Sequence, residues 1–267
     1  TVSLIPYALG GVIKDYETDK PSTYRKDIGL DAKVAITSSL NLDLTVNPDF
    51  SQVDVDKQVT NLDRFELFYP ERRQFFLENG DQFTNFGYAG IRPFFSRRIG
   101  LGVPIKFGAR LSGKLNKDWR LGIMNMQTEK QNSTALPAQN FTVAALQRRV
   151  FARSNVGFLL INKESLNYNP SDLAPGAATY SRYNRNFGME YNLASANNFW
   201  TGKAMVLKSF SPGKSGHDWT HAANLQYTSG KWNISWQHEY VGRNYTAEVG
   251  YVPRQGYVKM MPQITRL

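Results

Sequence analysis

Cysteine is absent from the 267 residues, which excludes disulfides and thiolate-held metals and suits a protein of an oxidising envelope. Long apolar runs are missing too, and nothing approaches the roughly 18 consecutive apolar residues of a membrane-spanning helix. Helix-period segments with capping boxes are scarce. Histidine occurs only at His217, His221 and His238. No basic-then-apolar leader opens the chain, which starts Thr1-Val2-Ser3-Leu4 and reads as a processed or excised piece of something longer. With helices excluded and strand-like alternation filling most of the length, the class is all-β.

Charge of one sign is in excess. Lys and Arg total 32 against 22 Asp and Glu, a formal net charge of +10, which suits anionic headgroups, lipopolysaccharide phosphates or anionic solutes. The basic residues are dispersed over many strands and form no stripe or recognised motif, so nucleic acid is not an expected partner.

The alternation is regular. Ile28, Leu30, Ala32, Val34 and Ile36 are set against Gly29, Asp31, Lys33, Ala35 and Thr37, and Leu40, Leu42, Leu44 and Val46 against Asn41, Asp43 and Thr45. Each stretch therefore has one apolar and one polar or small face. The same pattern marks Ile105 to Ser112, Trp119 to Met124, Phe141 to Ala145, Val156 to Leu160, Phe187 to Leu193, Trp219 to Thr228 and Trp232 to Gln237. Adding Val2 to Ile13, Phe199 to Phe210, Asn244 to Tyr251 and Tyr257 to Thr265 gives about thirteen strands, mostly of the length a tilted membrane strand needs. Links alternate between long (Lys14 to Thr23, Pro48 to Gly102, Glu129 to Gln139, Lys163 to Arg182) and tight (Ser38-Ser39, Asn116-Lys117, Ser229-Gly230). That parity is what an up-and-down barrel gives when one rim carries turns and the other loops. A short link at Gly242-Arg243 breaks it. Aromatic residues such as Trp119, Trp200, Trp219, Trp232 and Tyr227 fall near strand ends, where a bilayer's headgroup level would place them.

The expected fold is thus an antiparallel up-and-down transmembrane β-barrel over 1–267, partial because the strand number is odd, with residues 48–102 as one long outer or lumenal loop. That loop mixes both signs of charge. Asp49, Asp54, Asp56, Glu66, Glu71, Arg72, Arg73 and Glu78 are the residues expected to plug the lumen or set its selectivity. On the polar face of the strands, Lys106, Arg110, Lys114, Arg120, Glu239 and Glu248 are expected to line the lumen.

Two loop stretches, Asn47-Pro48-Asp49-Phe50-Ser51-Gln52-Val53-Asp54-Val55-Asp56 and Phe68-Tyr69-Pro70-Glu71-Arg72-Arg73-Gln74-Phe75-Phe76-Leu77-Glu78, are distinctive. With Gly108 to Lys114 and Glu248 to Arg254, they resemble a family of uncharacterised Bacteroidota outer-membrane proteins. Its members often carry an N-terminal carbohydrate-binding module of the family-nine type ahead of a barrel-like region. The resemblance implies a barrel in the bacterial outer membrane and a sugar-binding module upstream. No residue of that module is present, so a glycan ligand would be held by a missing domain, and no catalytic residue carries over.

Chemistry is sparse. Asp49, Asp54 and Asp56 lack the glycine turn and distal Glu of an EF-hand loop. His217 and His221 are four apart, but along a strand that spans roughly 13 Å, so no metal and no cofactor is expected. The sequence therefore points to an outer-membrane barrel acting as a conduit or as the membrane-embedded component of a surface glycan-handling or secretion assembly. Its expected partners are outer-membrane lipid, lipopolysaccharide and other envelope proteins. A barrel-anchored surface hydrolase acting on glycans and a soluble β-sheet binding module are the alternatives.

Overall fold

The computed structural model describes residues 1–14, 16, 21–48, 60, 66–172 and 178–266. Twelve antiparallel strands form one sheet in strict sequence order: β1 (Val2–Ile13), β2 (Thr23–Ala35), β3 (Leu40–Val46), β4 (Ile105–Lys114), β5 (Trp119–Thr128), β6 (Gln139–Val150), β7 (Ser154–Ser165), β8 (Tyr183–Ala194), β9 (Trp200–Phe210), β10 (Trp219–Thr228), β11 (Trp232–Val241) and β12 (Tyr257–Arg266). Two one-turn helices, α1 (Gln74–Leu77) and α2 (Asp81–Thr84), interrupt the link between β3 and β4. Among the described residues β1 and β12 each have one unpaired edge.

Local chemistry makes the tight turns. Between β4 and β5, Asn116 Oδ1 accepts the backbone N–H groups of Asp118 (2.9 Å) and Trp119 (3.0 Å), an Asx turn that reverses the chain without help from outside. Between β8 and β9, Asn198 takes a left-handed conformation at φ 62°, which asparagine tolerates better than most residues.

One expected strand is absent. Asn244 to Tyr251 makes turns, with Tyr245 N–H donating to Gly242 O and Gly250 N–H to Ala247 O, and its ladder contact is an isolated bridge from Tyr251 to Arg92. Tyr245 and Val249 are fully buried, so this stretch is committed to the interior. The link from β11 to β12 is consequently long, and the alternation of long and tight links, expected to break at Gly242-Arg243, runs to the end of the sheet.

The two faces of the sheet differ sharply. Cross-strand neighbours on the outward face are apolar, as in Leu42 opposite Leu111, Val46 opposite Phe107 and Phe158 opposite Met189. Val2, Leu4, Ile28, Phe107, Phe187, Trp236, Val258 and Ile264 are all exposed there. The inward face is polar near the rims and apolar in the middle, where Met124, Met126, Phe141, Val143, Leu159, Ile161, Met205 and Leu207 join one buried cluster with Phe76, Phe83, Phe86, Ile91 and Phe94 of the β3–β4 link.

This arrangement forces the sheet to curl. Glu78 is bonded to Lys33 on β2 and Tyr88 to Asn224 on β10. A flat sheet would hold those strands roughly 38 Å apart at the usual strand spacing. The stretch from Glu78 to Tyr88 would barely cover about 35 Å even if fully extended, and α2 shortens it further. The inward face must therefore wrap around the link.

Glycines in the wall make room for it. A Cβ at Gly122 of β5 would lie 2.7 Å from Phe83 Cζ and 2.9 Å from Gln82 Oε1, closer than packed atoms tolerate. Replacing Gly122 by Val should destabilise the seating of α2 by about 1–3 kcal/mol, the usual cost of overpacking. Limited proteolysis within residues 66–104 would report it as faster cleavage. At Gly90, where nothing lies within 4 Å of the added Cβ, the change to Ala should leave the cleavage rate unaltered.

Candidate functional site

The interior segment is seated on the wall through charges. On β4, Arg110 is 2 % exposed and its guanidinium holds Asp43 of β3 at 2.7 and 3.2 Å. It also donates to the backbone oxygen of Phe75 and stacks on that residue's ring, 4.9 Å from the centroid. Glu78 lies 3.9 Å from the same guanidinium and pairs with Lys33, which is itself 3.7 Å from Asp43. The hydrogen bond from Lys33 is the main reason the Glu78 carboxyl is held below the ordinary carboxylate range, against the opposing effect of burial. These residues border a cavity of about 140 Å³ between β2, β3, β4 and α1.

A second seat lies on the other side of the segment. Glu190 of β8, buried, accepts the Gly87 backbone N–H at 2.9 Å and pairs with Lys203 of β9 at 3.2 Å. Lys203 Nζ donates to the carbonyls of Asn85 (2.8 Å) and Gly87 (3.0 Å). The Tyr88 hydroxyl donates to Lys203 O at 2.7 Å and lies 3.0 Å from Asn224 Oδ1, and burial pushes its pKa well up. Between the two seats, Arg120 of β5 meets Asp81 at the start of α2 at 2.9 Å. The buried Asp43, Arg110 and Glu190 are thus paired within the wall, Asp43 with Arg110 and Glu190 with Lys203, which is what permits them to be buried, while Arg110 and Glu190 also hydrogen-bond the segment's backbone.

The segment is also braced internally and tied to the link between β11 and β12. Glu71 receives Arg73 at 2.7 Å and the Ser96 hydroxyl at 2.6 Å. Burial pushes its carboxyl up, but the Arg73 guanidinium and that hydroxyl together outweigh burial and hold it low. Arg73 in turn donates to the carbonyls of Ile99 and Ser96, both at 2.7 Å. Arg98 pairs with Glu66 and donates to Gly250 O at 3.1 Å, and Phe95 N–H donates to Val249 O at 2.7 Å. Glu248 closes this end of the interior by accepting from Lys163 of β7 and from Ser181, both at 2.6 Å.

Of the loop residues read from the sequence, Glu66, Glu71, Arg73 and Glu78 therefore all take part in the packing, and the Arg72 backbone N–H donates to Glu71 at 3.0 Å. Asp49, Asp54 and Asp56 lie outside the described residues. Of the expected lining residues, Arg110, Arg120 and Glu239 face inward, Glu239 accepting from the Tyr257 hydroxyl at 2.9 Å. Glu248 acts from the β11–β12 link instead of from a strand. Lys106 and Lys114 are exposed at the two ends of β4, Lys106 beside a register shift between Ile105 and Phe107. Missed from the sequence were Asp43, Glu190 and Phe75. The first two stand on the polar side of their strands, but no spacing rule links Asp43 to Arg110 across the long link, or Glu190 to Gly87, 103 residues away.

A family model described as a domain of unknown function (DUF5916) matches residues 1–119. That stretch holds β1 to β4 and the whole interior segment, and ends where β5 begins. No curated protein matches the chain.

Proposed function

We propose that the sheet is the wall of an outer-membrane β-barrel whose lumen is filled by residues 66–104. In this reading the protein is a plugged conduit, or the membrane-embedded component of a surface glycan-handling or secretion assembly. The observation that carries the proposal is the outward face. All five tryptophans, Trp119, Trp200, Trp219, Trp232 and Trp236, stand on it, amid exposed leucine, isoleucine, valine and phenylalanine. Water disfavours so large an apolar surface, whereas hydrocarbon with an indole belt at its edges favours it. In hydrocarbon the free edges of β1 and β12 must also be joined, to one another or through further strands.

The charged seats then act as a latch. Lys33, Asp43 and Arg110 on one side and Glu190 and Lys203 on the other hold the plug, and its displacement would open a path along the inner wall past these charged groups. Tryptophan fluorescence of protein reconstituted with lipids brominated along the acyl chain tests the membrane reading. Strong quenching is expected, and emission unaffected by bromination would refute a lipid-facing wall.

A further inference from the structure

All three histidines of the chain gather on one outward patch of β10, β11 and the link before them. His221 Nδ1 lies 3.3 Å from His238 Nε2, and the Trp236 indole N–H donates to His238 Nδ1 at 3.3 Å. Tyr240 stacks on His221 with ring centroids 5.1 Å apart and meets His217 at 3.5 Å through its hydroxyl. Because the indole can only donate, His238 Nδ1 must accept, which puts the proton of its neutral ring on Nε2, facing the bare Nδ1 of His221.

We infer that His221 and His238 form a two-imidazole site for a divalent transition metal such as zinc, whose tetrahedral geometry their separation matches. Two imidazole nitrogens each about 2.05 Å from a tetrahedral metal are separated by about 3.3 Å, and their ring centroids by roughly 5.2 Å. The observed separations are 3.3 Å and 5.4 Å, with the rings inclined at 65°. His221, exposed, is the third residue of β10, and His238, half-buried, is the fourth from the end of β11, near strand ends where water reaches even a lipid-facing wall, so water can complete the coordination. It has to, because among the described residues no third His, Cys, Asp or Glu joins them.

Loading the site moves one proton. When the metal takes His238 Nε2, the proton there shifts to Nδ1, and Nδ1 can no longer accept from Trp236. The indole bond therefore competes with the metal, and removing it should strengthen binding. This competition follows from the ring chemistry and is independent of whether the outward face meets lipid.

Calorimetric titration of untagged, folded protein with Zn²⁺ tests the assignment. One equivalent is expected to bind in the micromolar range, tenfold or more weakly in His221→Ala and in His238→Ala, and unchanged in His217→Ala. Trp236→Phe should bind several-fold more tightly. These side chains project outward, so the variants should keep the wild-type circular dichroism spectrum, which separates loss of the site from loss of the fold. Absence of Zn²⁺ binding by the wild type, or equal affinity in His221→Ala and His238→Ala, would overturn the site, and weaker binding by Trp236→Phe would overturn the competition.

Discussion

Replacing residues 49–104 by a short Asn-Gly turn should convert a silent protein into one that passes ions in planar bilayers. The geometry allows the join, since Val46 on β3 stands opposite Phe107 on β4 and Asn47 N–H already donates to Lys106 O at 2.7 Å. A type I′ turn can close such a pair. What is removed is most of the apolar filling of the interior, including Phe76, Phe83, Phe86, Ile91, Phe94 and Ile99. Each buried side chain of this kind contributes roughly 2 kcal/mol, and the deletion also wets Met124, Met126, Phe141 and Val143 on the wall. The truncated form should therefore be markedly less heat-stable as well as conducting. If it folds and stays silent, residues 66–104 are not what blocks the lumen, and the conduit reading fails in favour of an anchor.

The second large effect is expected at Arg110. Changing it to Met leaves Asp43, 7 % exposed, with Lys33 at 3.7 Å as its remaining cation and strands the Phe75 carbonyl. Removing one partner of a buried pair costs about 3–5 kcal/mol, and Lys33 should hold the loss near the lower end of that range. Changing Asp43 to Leu in the same molecule removes the buried carboxylate, and most of the loss should return, because an apolar pair often substitutes well for a buried ion pair. Denaturant titration of the wild type, Arg110→Met, Asp43→Leu and the double variant forms the required cycle. Arg110→Met as stable as wild type would mean that the latch between β3, β4 and α1 carries no net stability. A double variant no better than Arg110→Met would place the loss in the Phe75 contact instead.

The wall was legible in the sequence because a strand's side-chain period is two and each strand announces its own faces. Leu40, Leu42, Leu44 and Val46 are outward in the structure as their alternation implies, and Asn116, Ser195 and Ser229 mark turns by accepting backbone N–H groups within a few residues, those of Trp119, Trp200 and Trp232. The fate of Asn244 to Tyr251 was not legible. Its alternation suits a strand, yet Tyr245 and Val249 are drawn inward by an apolar cluster whose other members lie far away in sequence, and local pattern carries no information about that competition.

The candidate site divides along the same line. The sequence marks Glu71, Arg73 and Glu78 as a charged knot within a long link, and Arg110 and Arg120 as inward cations. It does not say that Arg110 reaches Phe75, or that Glu190 reaches Gly87. Those contacts depend on how far the sheet curls, a property of all twelve strands together.

The order of the chain also constrains the order of assembly. Every strand pairs with its sequence neighbour, so hairpins can zip up one after another at little entropic cost. The contacts that Tyr88 makes with Asn224 and Arg98 with Gly250 span separations of 136 and 152 residues and must wait until β10 and β11 exist. Residues 66–104 are made early, between β3 and β4, and have to be kept from aggregating until the late strands arrive to enclose them. In the proposed barrel the joining of the β1 and β12 edges, directly or through further strands, would therefore come last, after the segment already tethered inside has settled.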